Sequence, residues 1–290
     1  MWTCTSLYDV GLTYYKRQNY LKCHYCGYTM AMPTKCHSCH SHDLTTKGLG
    51  TEQIEEALKS IFPNKNIARM DQDTTRGKFA FERLIDGFKN REIDAMVGTQ
   101  MLAKGLDFDN VSLVGILNAD NMLNFPDFRA YERAYQLMVQ VAGRAGRKNK
   151  QGKVIIQTYN PFHNTIQQVT QNNYKGMFKE QMYERLNFKY PPFYRLIRLQ
   201  MKHTDFNKVK EASNWLATNL RNNINGILVL GPQEPSINRI RNQYIQIILI
   251  KLPINKSANA LKISIQKSIN SLETIAQFKS VKTTISVDFY

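Results

Sequence analysis

The chain has 290 residues, enough for one large domain or for two to three small domains that each bury a core. It contains neither an apolar run long enough to span a membrane nor a secretory signal, so we expect no membrane association and a cytoplasmic location. Its 39 Lys and Arg residues against 23 Asp and Glu give a formal net charge of +16, which indicates either a polyanionic partner or the Lys-rich composition of an AT-rich genome.

The first compositional zone, residues 1–46, holds all five cysteines of the chain: Cys4, Cys23, Cys26, Cys36 and Cys39. The last four form two CxxC turns separated by nine residues. Each turn places two thiolates on one side of a loop, where they can lie about 2.3 Å from a zinc ion. The pattern predicts a Cys-rich zinc-binding element with Cys23, Cys26, Cys36 and Cys39 as ligands; free or redox-active thiols are the alternative.

The second zone, residues 47–189, alternates helical patterns with short apolar runs. The predicted helices are 51–62, 79–90 and 128–142, and the predicted strands are 67–70, 95–97, 111–117 and 154–158. In the first helix, Ile54, Leu58, Ile61 and Phe62 form an apolar stripe at helical spacing. Strands that alternate with helices predict an α/β domain with a parallel sheet covered on both faces.

The third zone, residues 190–290, begins where Pro191 and Pro192 end any continuing helix. Its predicted strands are 194–201, 227–230, 244–252 and 283–289, and its predicted helices are 206–221 and 257–271. This β-α-β-β-α-β order is typical of a small ferredoxin-like α+β domain.

One loop at the end of a predicted strand contains Gly98, Thr99, Gln100, Lys104 and Gly105. Open α/β sheets bind ligands in such loops. The Gly-Thr pair with a lysine five residues beyond the threonine could hold a nucleic-acid phosphate or respond to a bound nucleotide. The alternative is a turn in which the glycines only satisfy backbone geometry.

A second motif follows at the end of the 128–142 helix and contains Gln140, Arg144 and Arg147. The glycines at positions 143 and 146 cost roughly 1 kcal/mol each in a helix, which a close backbone approach would explain. Arginine forks suit a phosphate that gains charge in a transition state, the role of an arginine finger. A basic, solvated helix end is the other interpretation.

These two motifs carry a family resemblance. Residues 140–147 resemble motif VI of superfamily 2 helicases, and residues 98–105 resemble their motif V. GTQMLAKGLDF followed by NFPDFRAYERAYQLMVQVAGRAGR is similar to the primosomal protein N′ (PriA) family of replication-restart helicases. The similarity extends to the segments KCHYCGY, GLGTEQIEEAL, RMDQDT, YPPFYRLIRL and LGPQEPSINRIRNQYIQIILI.

The resemblance implies three parts of a 3′–5′ DNA helicase. Residues 47–189 would form a RecA-like second motor lobe, and the zinc element 1–46 would help engage DNA and other primosome proteins. Residues 190–290 would form a ribosomal-protein-like module that supports binding of branched or single-stranded DNA. The implied cofactors are zinc and ATP with Mg²⁺.

The resemblance also implies roles for single residues. Arg144 and Arg147 would face the γ-phosphate of ATP, assisted by Gln140. The motif V residues, Gly98 to Gly105, would couple DNA contact to the nucleotide state. Asp71 and Asp73 would be structural. The segment with Asp127, Arg129 and Glu132 would orient the loops of the lobe.

The sequence departs from the family in two ways. It contains no GxxxxGK[ST] phosphate cradle and no DExH-type segment, so we expect these 290 residues to be inactive alone and to need the missing N-terminal helicase half. The resemblance to the family also implies an interleaved pair of zinc sites built from eight cysteines, and this sequence has five. In that scheme Cys23 and Cys26 would pair with a turn around Cys4, and Cys36 and Cys39 with cysteines upstream of Met1. One local site is the alternative.

Two further functions remain open at this point. One is a non-catalytic, zinc-containing module that binds nucleic acid through its basic surface. The other is a scaffold that binds partners in the primosome.

Overall fold

The computed structural model describes residues 13–15, 19–22, 28–35, 42, 50–103, 108, 111–125, 127–146, 152–235, 237–255 and 258–289; at 13–15, 22, 101, 103, 258 and 260 it describes the backbone alone. The chain separates into two compact units. One is Lys47–Tyr183, and the other combines Met1–Thr46 with Glu184–Tyr290. The predicted division into three domains stays a prediction.

A small antiparallel sheet lies in the N-terminal zone. It consists of β1 (Thr13–Tyr15), β2 (Tyr20–Lys22) and β3 (Thr29–Ala31), in that order. Leu21 on the central strand is buried. All five cysteines lie outside the described residues, so their predicted roles stay predictions.

The unit Lys47–Tyr183 contains two parallel strand pairs among its described residues. Its strands are β4 (Ile67–Met70), β5 (Ala95–Gly98), β6 (Leu113–Ile116) and β7 (Lys153–Ile156). Its helices are α1 (Thr51–Ile61), α2 (Ala80–Lys89), α3 (Asp120–Leu123), α4 (Ala130–Ala142), α5 (Asn164–Thr170) and α6 (Tyr174–Asn187), the last of which continues past the unit boundary. The predicted α/β organisation with parallel strands is confirmed.

The core of this unit lies around α4. Ala134, Tyr135 and Met138 are buried on one face of that helix against Ile116 of β6 and Ile166 of α5. Residues three and four apart share a helix face, so the apolar spacing of α4 accounts for this contact.

The first helix differs from its predicted pattern. Ile61 and Phe62 are 66% and 51% exposed, although the sequence places them on the apolar stripe. The stripe describes one side of the helix, but β4 and β5, which α1 contacts, leave its last turn uncovered.

The C-terminal unit is built on an antiparallel sheet. Its strands are β8 (Tyr194–His203), β9 (Leu228–Gln233), β10 (Arg239–Ile240), β11 (Gln243–Pro253) and β12 (Lys282–Val287), and its helices are α7 (Phe206–Asn223) and α8 (Ala258–Thr274). The strand order is β10-β11-β8-β12, and β9 also pairs with β11. Both helices contribute to one core on a single face of the sheet, so the opposite face is not covered by them.

Candidate functional site

The turn after β5 contains the first predicted site residues. Gly98 ends β5 and pairs with Met70 of β4. A Cβ atom at Gly98 would lie 2.6 Å from the Met70 carbonyl oxygen and 2.7 Å from the Leu102 side chain, so only glycine fits. The Thr99 carbonyl accepts a hydrogen bond from the Leu102 N–H at 3.0 Å, which starts the 3₁₀ turn Gln100–Ala103.

Thr99 and Gln100 are exposed at the carboxyl edge of the β4–β5 pair. This is the edge at which open α/β sheets bind ligands. The structure therefore places Gly98, Thr99 and Gln100 where the sequence predicts them. Lys104 and Gly105 lie outside the described residues.

At the same edge, the buried carboxylate of Asp71 fixes the chain after β4. It accepts hydrogen bonds from the Thr51 hydroxyl at 2.7 Å and from the N–H groups of Asp73 and Thr74 at 3.0 Å each. Arg69 Nε lies 3.3 Å from its Oδ2 atom. Burial raises the pKa of Asp71, but these hydrogen bonds and Arg69 outweigh burial and hold the pKa below its usual value. Asp71 is occupied within the fold, as expected of a structural residue.

The second predicted motif lies at the end of α4. Gln140 is exposed on the last turn of the helix. Arg144 follows in a tight turn in which its N–H donates to the Val141 carbonyl at 3.1 Å. The Arg144 side chain is half-buried, and its Nε and Nη1 atoms are shielded from solvent. Arg147 lies outside the described residues.

The backbone requires glycine at only one of the two glycine positions of this motif. Gly146 has a φ of +76° and donates its N–H to the Val111 carbonyl at 2.9 Å, a backbone conformation that favours glycine. A Cβ at Gly143 would lie 3.4 Å from the Val139 carbonyl oxygen and 3.8 Å from the Gln140 carbonyl oxygen, which are ordinary contacts. A close backbone approach occurs instead at Gly152, where a Cβ would lie 2.2 Å from the Gly146 nitrogen.

Asp127 organises the start of α4. Its Oδ1 accepts from the Arg129 N–H at 2.9 Å, and its Oδ2 lies 2.8 Å from Arg133 Nη1 and 3.3 Å from Arg129 Nη2. Partial burial raises the pKa of Asp127, but the contacts with Arg129 and Arg133 outweigh burial and hold the pKa below its usual value. The sequence pointed to Asp127 and Arg129 but not to Arg133, which lies one helical turn further along.

The two predicted motifs lie on adjacent elements. The 3₁₀ turn after β5 contacts α4, whose C-terminal end carries Gln140 and leads to Arg144. Between them these two elements carry an arginine guanidinium, a hydroxyl and side-chain amides. Such groups can hold a phosphate through charge-assisted hydrogen bonds.

Asp120, which the sequence did not single out, connects the segments that follow the two strands of the β6–β7 pair. Both carboxylate oxygens of Asp120 accept hydrogen bonds, from the Thr158 hydroxyl at 2.9 Å and from the Tyr159 N–H at 3.1 Å. These bonds tie the start of α3 to the chain that leaves β7. The signal in the sequence is weak, because the partners are 38 and 39 positions away.

On the sheet face opposite α7 and α8, the strands β8 and β12 carry basic and polar side chains. Side chains alternate across a sheet, so Arg198, Gln200 and Lys202 point away from the core that contains Ile197, Leu199 and Met201. On β12 they are paired with Ser286, Thr284 and Lys282, respectively. The result is a surface, here called the basic sheet face, formed by Arg198, Gln200, Lys202, Lys282, Thr284 and Ser286.

A buried lysine lies at one end of the same sheet. Lys251 of β11 is only 4% exposed, and its Nζ donates to the Phe188 carbonyl at 2.6 Å and lies 3.4 Å from the centre of the Tyr190 ring. Burial, reinforced by the nearby Lys189, lowers the pKa of Lys251 to about 8. Lys251 therefore holds the segment that precedes β8 against the sheet.

Within the described part of the chain, no helix is long and apolar enough to cross a membrane. The same residues include no group of three or more His, Cys, Asp or Glu side chains arranged to bind a metal ion. The cysteines predicted to bind zinc lie outside the described residues.

Three family descriptions match separate segments of the chain. Residues 9–30 match the PriA DNA helicase Cys-rich region domain, residues 43–149 match the helicase conserved C-terminal domain, and residues 187–289 match the primosomal protein N C-terminal domain.

Curated relatives align over nearly the whole chain. The replication restart protein PriA of Bacillus subtilis is 38% identical over 283 residues, which cover 97% of this chain and 35% of that protein. PriA of Synechocystis sp. is 40% identical, covering 97% of this chain and 33% of the relative. PriA of Haemophilus influenzae is 36% identical, covering 95% of this chain and 37% of the relative. The chain thus spans about a third of the length of these relatives.

Proposed function

Because the chain belongs to the PriA family and carries its C-terminal domains, we propose that it supplies the second motor lobe and the DNA-binding C-terminal part of an ATP-dependent 3′–5′ DNA helicase in replication restart. The observation that carries this proposal is the contact between the turn after β5 and α4. That contact allows a change at the DNA or at the nucleotide to pass from one motif to the other.

In this proposal the phosphate of ATP is held between two lobes. Arg144 and Arg147 stabilise the charge that develops on the γ-phosphate, and Gln140 assists them. Gly98, Thr99, Gln100, Lys104 and Gly105 couple DNA contact to the nucleotide state. ATP and Mg²⁺ are bound by a first lobe with a GxxxxGK[ST] cradle, which is absent from these 290 residues.

Zinc is the metal that the Cys-rich region would hold. In the sequence, Cys23 and Cys26 lie between β2 and β3, whose pairing reaches Lys22 opposite Thr29. A CxxC turn between two paired strands brings both thiols to one side, as a tetrahedral zinc site requires. Cys36 and Cys39 would complete one local site. The interleaved arrangement with Cys4 remains the alternative, and zinc content per chain distinguishes the two.

The C-terminal domain would have a ferredoxin-like fold. In support, its strands lie in the order β12-β8-β11-β9, with helices after the first and third of these strands in the chain. Such folds leave one sheet face free of helices. The basic sheet face offers Arg198, Lys202 and Lys282 to the phosphates of a single strand or a fork.

The motor proposal is tested by ATP turnover. We expect no DNA-stimulated turnover from the 290-residue chain alone, and turnover when it is combined with a family first lobe. In that combination Arg144→Ala should lower turnover about a thousandfold, the lower range for an arginine finger. Arg133→Ala, a matched arginine on α4 bound to Asp127, should have a small effect. Turnover by the chain alone would contradict the two-lobe proposal, and unchanged turnover in Arg144→Ala would contradict the arginine-finger role. No turnover in the combination with a first lobe would favour a non-catalytic binding or scaffold module.

A further inference from the structure

Two aromatic rings stand in solvent on the loop after β7. Tyr159 is 95% exposed and Phe162 is 84% exposed. Aromatic side chains normally bury most of their large apolar area, so this exposure is costly unless the rings meet a ligand. The loop leaves the carboxyl end of the parallel β6–β7 pair, the edge at which open α/β sheets bind their ligands.

The backbone that carries the two rings is fixed on both sides. Asp120 accepts from the Thr158 hydroxyl at 2.9 Å and from the Tyr159 N–H at 3.1 Å. The side-chain amide of Gln167 donates to the Pro161 carbonyl at 2.9 Å. His163, the next residue after Phe162, lies edge-on to Tyr131 of α4, with 5.1 Å between ring centres. The backbone on either side of the rings is therefore held in place, which lowers the entropy that the loop loses when a ligand stacks on them.

We propose that Tyr159 and Phe162 form a stacking platform for unpaired nucleobases of a bound single strand, an inference that rests on the proposed DNA-binding function. Every base has a π-face, so exposed rings bind a strand without reading its sequence. The formal charge of +16 suits a polyanionic ligand. The carboxylate of Asp120, beside the loop, accepts two hydrogen bonds from the loop itself, so its role here is to hold the loop.

Stacking has a signature that phosphate contacts lack. A ring that stacks on a base releases no counterion, whereas a lysine on a phosphate does. Removing the rings should weaken binding by the same factor at every salt concentration. Removing phosphate contacts should instead change the slope of affinity against salt.

The experiment compares the 290-residue chain with its Tyr159→Ala and Phe162→Ala variants. Affinity is measured by fluorescence anisotropy for a labelled oligo-dT and for an abasic strand of equal length, over a range of salt. Tyr183→Ala, on α6, is the matched control because Tyr183 is also exposed, at 69%. Tyr159→Phe keeps the π-face and tests whether the ring is the group that matters.

We expect each alanine variant to bind oligo-dT about fivefold or more weakly than wild type, with an unchanged salt slope. On the abasic strand the variants should equal wild type, and Tyr159→Phe and Tyr183→Ala should bind oligo-dT normally. The proposal is overturned if the alanine variants bind oligo-dT as wild type does, or lose affinity equally for both strands. Wild type that binds neither strand would instead overturn the proposed DNA-binding function itself.

Discussion

The basic sheet face leads to a prediction about salt dependence. The perturbation is the triple variant Arg198→Gln, Lys202→Gln and Lys282→Gln. These side chains come from β8 and β12, which are paired from Lys282 opposite Lys202 to Val287 opposite Ile197. Each cation in contact with a phosphate contributes about 0.7 to the slope of log affinity against log salt for single strands and about 0.9 for duplexes. Three lost contacts should therefore reduce the slope by about 2 to 3.

That reduction is large enough to measure. Between about 50 and about 200 mM salt, wild type should lose roughly twenty- to fortyfold more affinity than the triple variant. The assay is fluorescence anisotropy with a labelled single strand and a labelled fork at several salt concentrations in that range. Because the slope counts released ions, it separates lost phosphate contacts from a general loss of affinity.

A second triple variant controls for net charge. Lys210→Gln, Lys262→Gln and Lys267→Gln remove the same three charges from exposed positions on α7 and α8, the helices on the opposite side of the sheet. We expect this variant to keep nearly the wild-type slope. Equal slopes for wild type and the sheet-face variant would refute the assignment of DNA to this face. Equal reductions in both triple variants would show that net charge, and not the position of the cations, controls binding.

Three further predictions concern stability, measured by urea unfolding. Folded Lys251 releases its proton near pH 8 and the unfolded residue near 10.5. The free energy of unfolding should therefore rise by about 1–2 kcal/mol as pH increases between these values, after allowance for partial screening. The variant Lys251→Met should lack this rise. Asp71→Asn should cost about 2–3 kcal/mol at neutral pH, and its difference from wild type should shrink as pH falls through the lowered pKa of Asp71. Gly98→Ala should lower the free energy of unfolding by about 1–3 kcal/mol, because the added Cβ has no room. Gly115→Ala has no atom within 4 Å of the added Cβ, so it should lose no stability through overpacking.

Each stability prediction has a result that contradicts it. Parallel pH profiles for wild type and Lys251→Met would show that the ammonium is solvated. A constant difference between wild type and Asp71→Asn down to strong acid would show that the Asp71 carboxylate is not held ionised. Equal costs at Gly98 and Gly115 would remove the steric reason for glycine after β5.

The local elements of this protein follow from its sequence. The strand at Ile67–Met70 has the predicted bounds, and the helix at Thr51–Ile61 ends one residue before its predicted end. Apolar periodicity is a property of neighbouring residues, so it reports secondary structure without knowledge of the fold. The helices α5 and α6 were not predicted. In α6 the apolar residues form no single stripe, and only Met177 and Gln181 are buried, so periodicity carries little signal there.

The sequence also pointed to the family, because residues 98–105 and 140–147, which resemble motifs V and VI, are contiguous strings defined by residue identity and short spacing. Gly98, Thr99, Gln100, Gln140 and Arg144 all lie at element ends where such motifs predict them. What the sequence left open was which elements touch. The contact between the turn Gln100–Ala103 and the helix Ala130–Ala142 joins two elements that are not neighbours in the chain, and only packing of the unit decides it.

Tertiary structure alone created the surfaces that lead to the new predictions. The alternation along β8 defines two faces, but only the pairing with β12 and the placement of α7 and α8 decide that Arg198 and Lys202 join Lys282 on the face opposite these helices. In the same way, nothing near Tyr159 in the sequence indicates that Asp120 fixes its backbone while its ring stays in solvent. Local sequence determines which way a side chain points relative to its own element, and burial depends on what the rest of the chain places above it.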